Sequence, residues 1–251
     1  MSQFERPLET DPPSTTPSNG AVIAARGVTR IFGSDSTRVI AVNDVSLEVF
    51  PGETLAFMGR SGSGKTTLLN LLSGLDQPTS GEVLFQGKDL ASFDESGLVE
   101  LRRHKISFIF QSFGLMPLLS AQENVEFPLH LRGLGWRERR RRAQDALELV
   151  GLRSRAKHRP YELSGGEQQR ASIARALVTG PEVMFADEPT GELDTTTAST
   201  IAAILADISA KQGTTVLIAT HDPTLAAVAN RTLELIDGEL IDEELIDGGL
   251  T

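Results

Sequence analysis

The chain has 251 residues, 39% hydrophobic and 23% charged, the composition of a globular protein with room for one large domain or two small ones. A net charge of −10 argues against broad electrostatic binding to DNA or RNA, which needs a basic footprint, so nucleic acid is not an expected partner. With no cysteine, disulfides, thiolate metal sites and cysteine nucleophiles are excluded as well.

Residues 1–20 place Pro7, Pro12, Pro13 and Pro17 among Ser, Thr and Asp. Such a segment buries too little apolar surface to offset its ordering entropy, which predicts a disordered tail. The folded domain is expected over 21–245, with the acidic end 242–251 fraying. Residues 45–49 (VSLEV) alternate as a half-exposed strand does. Residues 55–58 are apolar and run into a glycine-rich loop, and 65–72 (KTTLLNLL) read as a helix. A short apolar strand follows at 106–110. Residues 137–150 form a helix, charged early and amphipathic late, stopped by Gly151. A second helix is expected at 164–178. Residues 183–186 are an unbroken apolar strand, the pattern of burial on both faces. Residues 198–211 read as helix and 215–219 as another buried strand. This alternation predicts an α/β fold with a mostly parallel core sheet, whose ligands sit beyond the carboxyl ends of the strands. Residues 112–175 break the alternation and predict an inserted helical subdomain. No apolar run approaches the roughly 18 residues of a membrane span, and the N-terminus lacks the apolar core of a signal peptide. A cytoplasmic chain is expected, meeting a membrane only through a partner.

Gly59-Arg60-Ser61-Gly62-Ser63-Gly64-Lys65-Thr66 matches the phosphate-loop pattern GxxxxGK[ST]. Phosphate needs many donors converging on one point. Glycines permit positive φ and close backbone approach, so successive N–H groups form a nest. The helix that follows adds its positive end. Lys65 is placed to reach the outer phosphates, and the Thr66 hydroxyl to ligate Mg²⁺. The strand at 183–186 ends in Asp187 and Glu188. Adjacent carboxylates repel unless a cation lies near. Asp187 is the candidate Mg²⁺ ligand. Glu188 is the candidate to orient, or take a proton from, an attacking water.

Further motifs occur in a fixed order. Residues 163–170 (LSGGEQQR) resemble the signature motif of ABC-type ATPases. Gln111 resembles that family's Q-loop glutamine, residues 191–194 (GELD) its D-loop, and His221 its switch histidine. Phe32 stands where the family places an aromatic ring against adenine; Tyr is usual there, and Phe keeps the stacking surface. The resemblance spans about residues 21–241. It implies a phosphate-loop NTPase fold with an N-terminal antiparallel β subdomain and an inserted helical subdomain. It also implies ATP and Mg²⁺ as ligands, and a head-to-tail homodimer enclosing two ATP. In each site one chain supplies Phe32, residues 59–66, Thr67, Gln111, Asp187, Glu188 and His221, with Thr66, Gln111 and Asp187 toward the metal. The other chain supplies Ser164, Gly165 and Gly166. Taken alone, LSGG also reads as a helix N-cap with a glycine turn.

Residues 110–117 (FQSFGLMP), 123–125 (ENV) and 186–191 (ADEPTG) resemble the group that includes ATPases of lipoprotein-releasing systems and macrolide exporters. This implies a separate four-span permease as partner, of the kind with a large extracytoplasmic domain, and a place on the inner face of the membrane. Segment 113–131, with Leu115, Met116, Leu118 and Leu119, is the expected docking surface, or else simple core packing. Glu192 stands where Asn is common. The basic run 137–142 reads as a solvated helix face, or as a contact for anionic lipid. The alternative is a non-transport ABC ATPase in soluble cofactor assembly or repair. Gln111 and Ser164 stand 53 positions apart, too close for the long coiled-coil insertion of repair relatives.

Overall fold

The computed structural model describes residues 20–34 and 37–241. The expected N-terminal tail, apart from Gly20, and the expected fraying end therefore lie outside the described residues. The elements in chain order are β1 (Ile23–Phe32), β2 (Val39–Val49), β3 (Thr54–Met58), α1 (Lys65–Leu72), β4 (Ser80–Phe85), β5 (Lys88–Asp89), α2 (Glu95–His104), β6 (Ile106–Ile109), α3 (Ala121–Leu131), α4 (Trp136–Leu149), α5 (Gly165–Leu177), β7 (Val183–Asp187), α6 (Thr195–Gln212), β8 (Thr215–Thr220), α7 (Pro223–Ala226), β9 (Arg231–Ile236) and β10 (Glu239–Ile241). Among the described residues no helix is long and apolar enough to cross a membrane.

Two sheets result. A four-stranded antiparallel sheet has the order β2-β1-β4-β5, and a six-stranded sheet has the order β10-β9-β3-β8-β7-β6, parallel except for β10. The period of two along β7 and β8 divides the apolar interior. Val183, Phe185, Leu217 and Ala219 join the core shared with the antiparallel sheet and α1. Met184, Ala186, Val216 and Ile218 face the other way, into a core completed by α3, α4, α5 and α6. Both faces of these strands are dry, which is why their sequences are apolar without alternation. Register brings the strand ends together. Met58 pairs with Thr220 on β8, and Ala219 pairs with Asp187 on β7. The loops after β3, β7 and β8 therefore leave the same edge of the sheet.

Helix boundaries follow their caps. Asp94, Ser120, Ser164 and Asp194 each accept a first-turn N–H, from Gly97, Glu123, Glu167 and Thr197 respectively. Gly213, at φ 68°, closes α6. Residues 112–175 hold three helices between β6 and β7. The first of these, α3, is hidden in sequence by Pro128, which falls near its carboxyl end. The antiparallel strands are also obscured. β1 shifts register at three places against β2, so its burial does not alternate.

Gly81 lies at one such irregularity, where β4 crosses β1 between the pairs Arg26–Glu82 and Thr29–Ser80. Its φ is +83°, and a Cβ there would sit 2.3 Å from Gly27 O. Gly81→Ala is expected to destabilise the fold by about 1–3 kcal/mol, the usual cost of a forced backbone. A urea midpoint equal to wild type would show that the strand crossing can relax.

Candidate active site

The loop from β3 to α1 turns on three positive-φ glycines, Gly59 (154°), Gly62 (81°) and Gly64 (103°). Two are dictated by neighbours. A Cβ on Gly59 would lie 2.4 Å from Leu235 O, and one on Gly64 would lie 2.1 Å from Ala41 O. Gly64 occupies the N-cap position of α1 and gives no side-chain cap. The N–H groups of Lys65, Thr66 and Thr67 open the helix and have no intrahelical acceptor. Ser63 Oγ is buried without a partner. Arg60 and Ser61 lie exposed at the tip of the loop. This end of α1 is thus a set of donors looking for an acceptor, unlike α2, α3, α5, α6 and α7, whose N-cap side chains accept a first-turn N–H.

Lys65 is 5% exposed. Its Nζ donates to Gly59 O (2.8 Å) and Arg60 O (3.0 Å) and lies 3.5 Å from Glu188 Oε1. Thr66 Oγ1 donates to Asp187 Oδ1 at 3.0 Å. His221 Nδ1 lies 2.8 Å from Glu188 Oε2. Five residues from three strand ends thus form one connected group. Burial pushes the Asp187 carboxyl above its usual range and the Glu188 charge adds to this, while the Thr66 hydrogen bond and Lys65 oppose it. Glu188 has φ 45°, unusual for a residue with a side chain. Its N–H is held by Ala219 O (2.8 Å), and its carbonyl accepts from Gly191 N (3.1 Å). Sequence gives no sign of this strained backbone.

The other predicted residues lie around this group. Gln111 is exposed after β6, with its amide beside Gly191; a Cβ on that glycine would be 3.3 Å from Gln111 Nε2. Gln111 makes no hydrogen bond to Thr66 or Asp187 among the described residues. Ser164 caps α5 in a reciprocal box with Glu167. Gly166 is demanded by packing, since a Cβ would meet Thr197 Cγ2 at 2.4 Å. Among the described residues no hydrogen bond or ion pair joins Ser164, Gly165 or Gly166 to the Lys65 group. Phe32 ends β1 and is 42% exposed. The Arg30 guanidinium lies 4.6 Å from its ring centroid and is itself gripped by Asp76 through two 2.9 Å hydrogen bonds.

Three supporting residues had no assigned role in the sequence reading. Gln169, within LSGGEQQR, is fully buried and donates to Pro189 O at 2.7 Å, anchoring the loop after Glu188. Thr190 Oγ1 donates to Asp222 Oδ2 at 2.9 Å, bracing the loop that carries His221. Arg175 donates to the carbonyls of Phe113 and Gly114, just after Gln111. Only Arg175, a charge within the apolar stretch 173–178, carried a signal in sequence.

The donors suit a divalent cation that arrives with phosphate. Thr66 and Asp187 offer hard oxygen ligands, and the excess negative charge at Asp187 and Glu188 calls for a cation. Two protein ligands leave the remaining positions to water and phosphate oxygens, the usual Mg²⁺ arrangement.

A family model described as "ABC transporter" matches residues 42–191. The chain is 48% identical over 221 residues to a macrolide export ATP-binding/permease protein, MacB, of Rhodopseudomonas palustris, covering 88% of this chain and 34% of the relative. It therefore spans about a third of the length of the macrolide-export relatives it matches. It is 44% identical over 226 residues to the lipoprotein-releasing system ATP-binding protein LolD of Chromohalobacter salexigens, covering 90% of this chain and 95% of that one. Among solved structures, the dimeric post-hydrolysis state of the ATP-binding cassette MJ0796 bound to ADP and Pi aligns with a TM-score of 0.81 at 40% identity, covering 87% of this chain and 96% of that one.

The raised Asp187 pKa fixes the sign of a stability effect. The folded state binds this proton more tightly than the unfolded chain does. Asp187 therefore favours folding at low pH, and that contribution is lost as pH rises through the folded value. Asp187→Asn is expected to raise the melting temperature of the nucleotide-free protein at neutral pH, by about 2–4 °C per kcal/mol relieved. The gain should shrink as pH falls through the folded value and vanish below about pH 3, where both states protonate the wild-type group. An unchanged or lowered neutral-pH melting temperature would mean that Lys65 fully compensates the buried charge.

Proposed function

The chain belongs to the ABC transporter family, and we propose that it is the ATP-hydrolysing subunit of a membrane transporter, working as an ATP-dependent homodimer. The observation that carries this reading is the connected group Lys65, Thr66, Asp187, Glu188 and His221 beneath an uncapped helix N-terminus. The α1 N–H groups and Lys65 bind the phosphates and set the γ-phosphate at the edge of the sheet. Glu188 receives or orients the attacking water, and His221 fixes the carboxylate's direction through Oε2. The strained backbone of Glu188 keeps that carboxylate next to Lys65. Thr66 and Asp187, with Gln111 nearby, would hold Mg²⁺, which when bound neutralises charge on the phosphates. The exposed face of Phe32, backed by Arg30, receives adenine.

Ser164, Gly165 and Gly166 serve the partner's nucleotide. Ser164 Oγ accepts the Glu167 N–H, so its own O–H is the donor it can turn to a phosphate. The first N–H groups of α5 stand beside it. A composite site of this kind makes dimerisation depend on ATP and makes hydrolysis release it. The dimeric MJ0796 cassette with ADP and Pi supports this reading. Glu188→Gln is expected to bind ATP and accumulate as a dimer on size exclusion, with turnover reduced by about 10²–10⁴-fold. Turnover within two-fold of wild type would remove Glu188 from this role.

The transport reading rests on a groove of about 470 Å³ between α2, β6, α3 and α5. Val99, Phe110, Met116, Phe127 and Leu131 line it, with Arg102 and Arg103 beside them. Phe110, Phe127 and Leu131 are exposed large apolar residues, which a soluble surface seldom groups without purpose. Its proposed occupant is an amphipathic cytoplasmic helix of a separate permease, of the four-span type with a large extracytoplasmic domain. That places the chain on the inner face of the membrane. Leu115 packs into the helical core instead, so docking falls to the 110–116 turn and to the carboxyl half of α3. The names of the macrolide-export and lipoprotein-releasing relatives support the same partner class. The second reading, a soluble non-transport ATPase, leaves this groove without an occupant. Phe127→Glu is expected to keep ATP turnover within two-fold while lowering recovery with a membrane fraction at least ten-fold. Recovery equal to wild type would sink the groove assignment.

A further inference from the structure

The basic run on α4 is not uniformly solvated. Arg141 and Arg142 are paired with Glu138, and Arg141 also with Asp145. Arg139 donates to Leu134 O at 2.7 Å, and the Arg137 guanidinium lies 5.4 Å from the Trp136 ring centroid. Arg140 differs, having neither a hydrogen bond nor an ion pair among the described residues. It lines a cavity of about 330 Å³ enclosed by the first turn of α3, the middle of α4 and residues 153–158.

The same cavity takes two further cations. Lys157 has no partner among the described residues, and Arg153 is paired only with Glu148. His158 adds a buried Nδ1 with no partner, its Nε2 lying 3.2 Å from Arg155 Nη1. Gln144 adds an amide, the Gln122 amide donates to Glu126 Oε1 at 2.6 Å, and no carboxylate lines the cavity itself. The walls are fixed in place. Ala121 N donates to His158 O (2.8 Å) and Gln122 N to Ala156 O (2.9 Å), tying the turn to the start of α3. The cleft therefore needs no reordering to accept a ligand.

In a chain of net charge −10, this is a local reversal of sign. Arg140 and Lys157, the two unpaired cations of the cleft, repel each other, and an anion between them turns that repulsion into attraction. Donors reach the cavity from three walls. That suits a tetrahedral phosphate with several acceptor oxygens better than a planar carboxylate. We propose that this cleft is an anion site for a phosphate monoester or diester, held by Arg140, Arg153 and Lys157 with His158 Nδ1 as a further hydrogen-bond partner. It is separate from the Lys65 group and uses none of its residues. The phosphate can belong to a small soluble molecule or to a lipid headgroup.

Trp136 provides the readout. It is the single tryptophan of the chain and lines the adjoining groove, where Arg140 and Lys157 stand beside Glu123 and Glu126. The full chain, held in saturating ADP to occupy the phosphate loop, is titrated with glycerol 3-phosphate at constant ionic strength while Trp136 emission is recorded. In parallel it is sedimented with phosphatidylglycerol vesicles and with phosphatidylcholine vesicles. The proposal expects a saturable response to glycerol 3-phosphate, or selective binding to the anionic vesicles. Either should weaken at least ten-fold in Arg140→Ala/Lys157→Ala and persist in Arg141→Ala. The first outcome assigns a soluble ligand and the second a headgroup. No saturable response in either arm, or one that the double variant keeps, overturns the site.

Discussion

Asp187 and Glu188 are adjacent carboxylates at the end of a strand whose preceding residues are fully buried, and the surrounding geometry is organised by the cost of keeping them there. Among the described residues Lys65 is the one lysine or arginine paired with these acids, and it is buried too, while His221 contacts Glu188 from the other side. It can serve because β8 lies between β3 and β7 in register. The loop leaving β3 then crosses β8 and meets the end of β7. Thr66, one residue further along α1, reaches Asp187 from the same side. A sheet with another strand order would leave the two acids unpaired or push them into solvent. The negative excess that remains is what a metal bound to phosphate would answer.

The two helix N-termini of the proposed composite site treat their free N–H groups differently. Gly64 withholds any cap from α1, so the donors there are left to an external anion. Ser164 satisfies part of α5 internally, with Glu167 completing the box. The Ser164 N–H holds the Glu167 carboxyl below its usual range, as the leading cause. A helix stabilised by its own cap survives without nucleotide. An uncapped one depends on the rigid loop before it, which the close contacts at Gly59 and Gly64 enforce. On the proposed reading, the permanent phosphate site is the uncapped end, and the capped end meets nucleotide only when two chains close.

How much of this was legible in the sequence depended on the element. α1 falls at residues 65–72 as read, because a glycine, a lysine and an apolar run mark its start and its buried side. β7 and β8 were legible because burial on both faces leaves an unbroken apolar string. β1 and β4 were not, since bulges at Gly27 and Gly81 destroy the period of two. In the candidate site the residue types of Lys65, Thr66, Asp187, Glu188 and His221 were visible as motifs. Their joining into one group was not, because it depends on strand order. Nor was the left-handed backbone of Glu188, at a position where no glycine announces it. Gln169 stood in plain view within LSGGEQQR, but only burial reveals that its amide holds Pro189.

Gln169 and Arg175 give α5 a role that its N-terminal motif alone does not. The helix begins at the capped Ser164, grips the loop after Glu188 through Gln169, and near its other end grips Phe113 and Gly114 through Arg175. Burial pushes the Arg175 guanidinium pKa down, so its two carbonyl acceptors are what keep the charge tolerable there. Thirteen residues of helix span roughly 20 Å. That length joins the apolar groove, which Gly114 and Arg175 help to line, to the residues proposed to meet a second nucleotide. Packing on both faces leaves the helix little room to bend. A partner that displaces the 113–114 turn must therefore either break the Arg175 contacts or move α5 with it. The second course shifts Ser164 and the loop carrying Glu188 together. This is a physical route by which occupancy of the groove and closure of the ATP site would be one event rather than two.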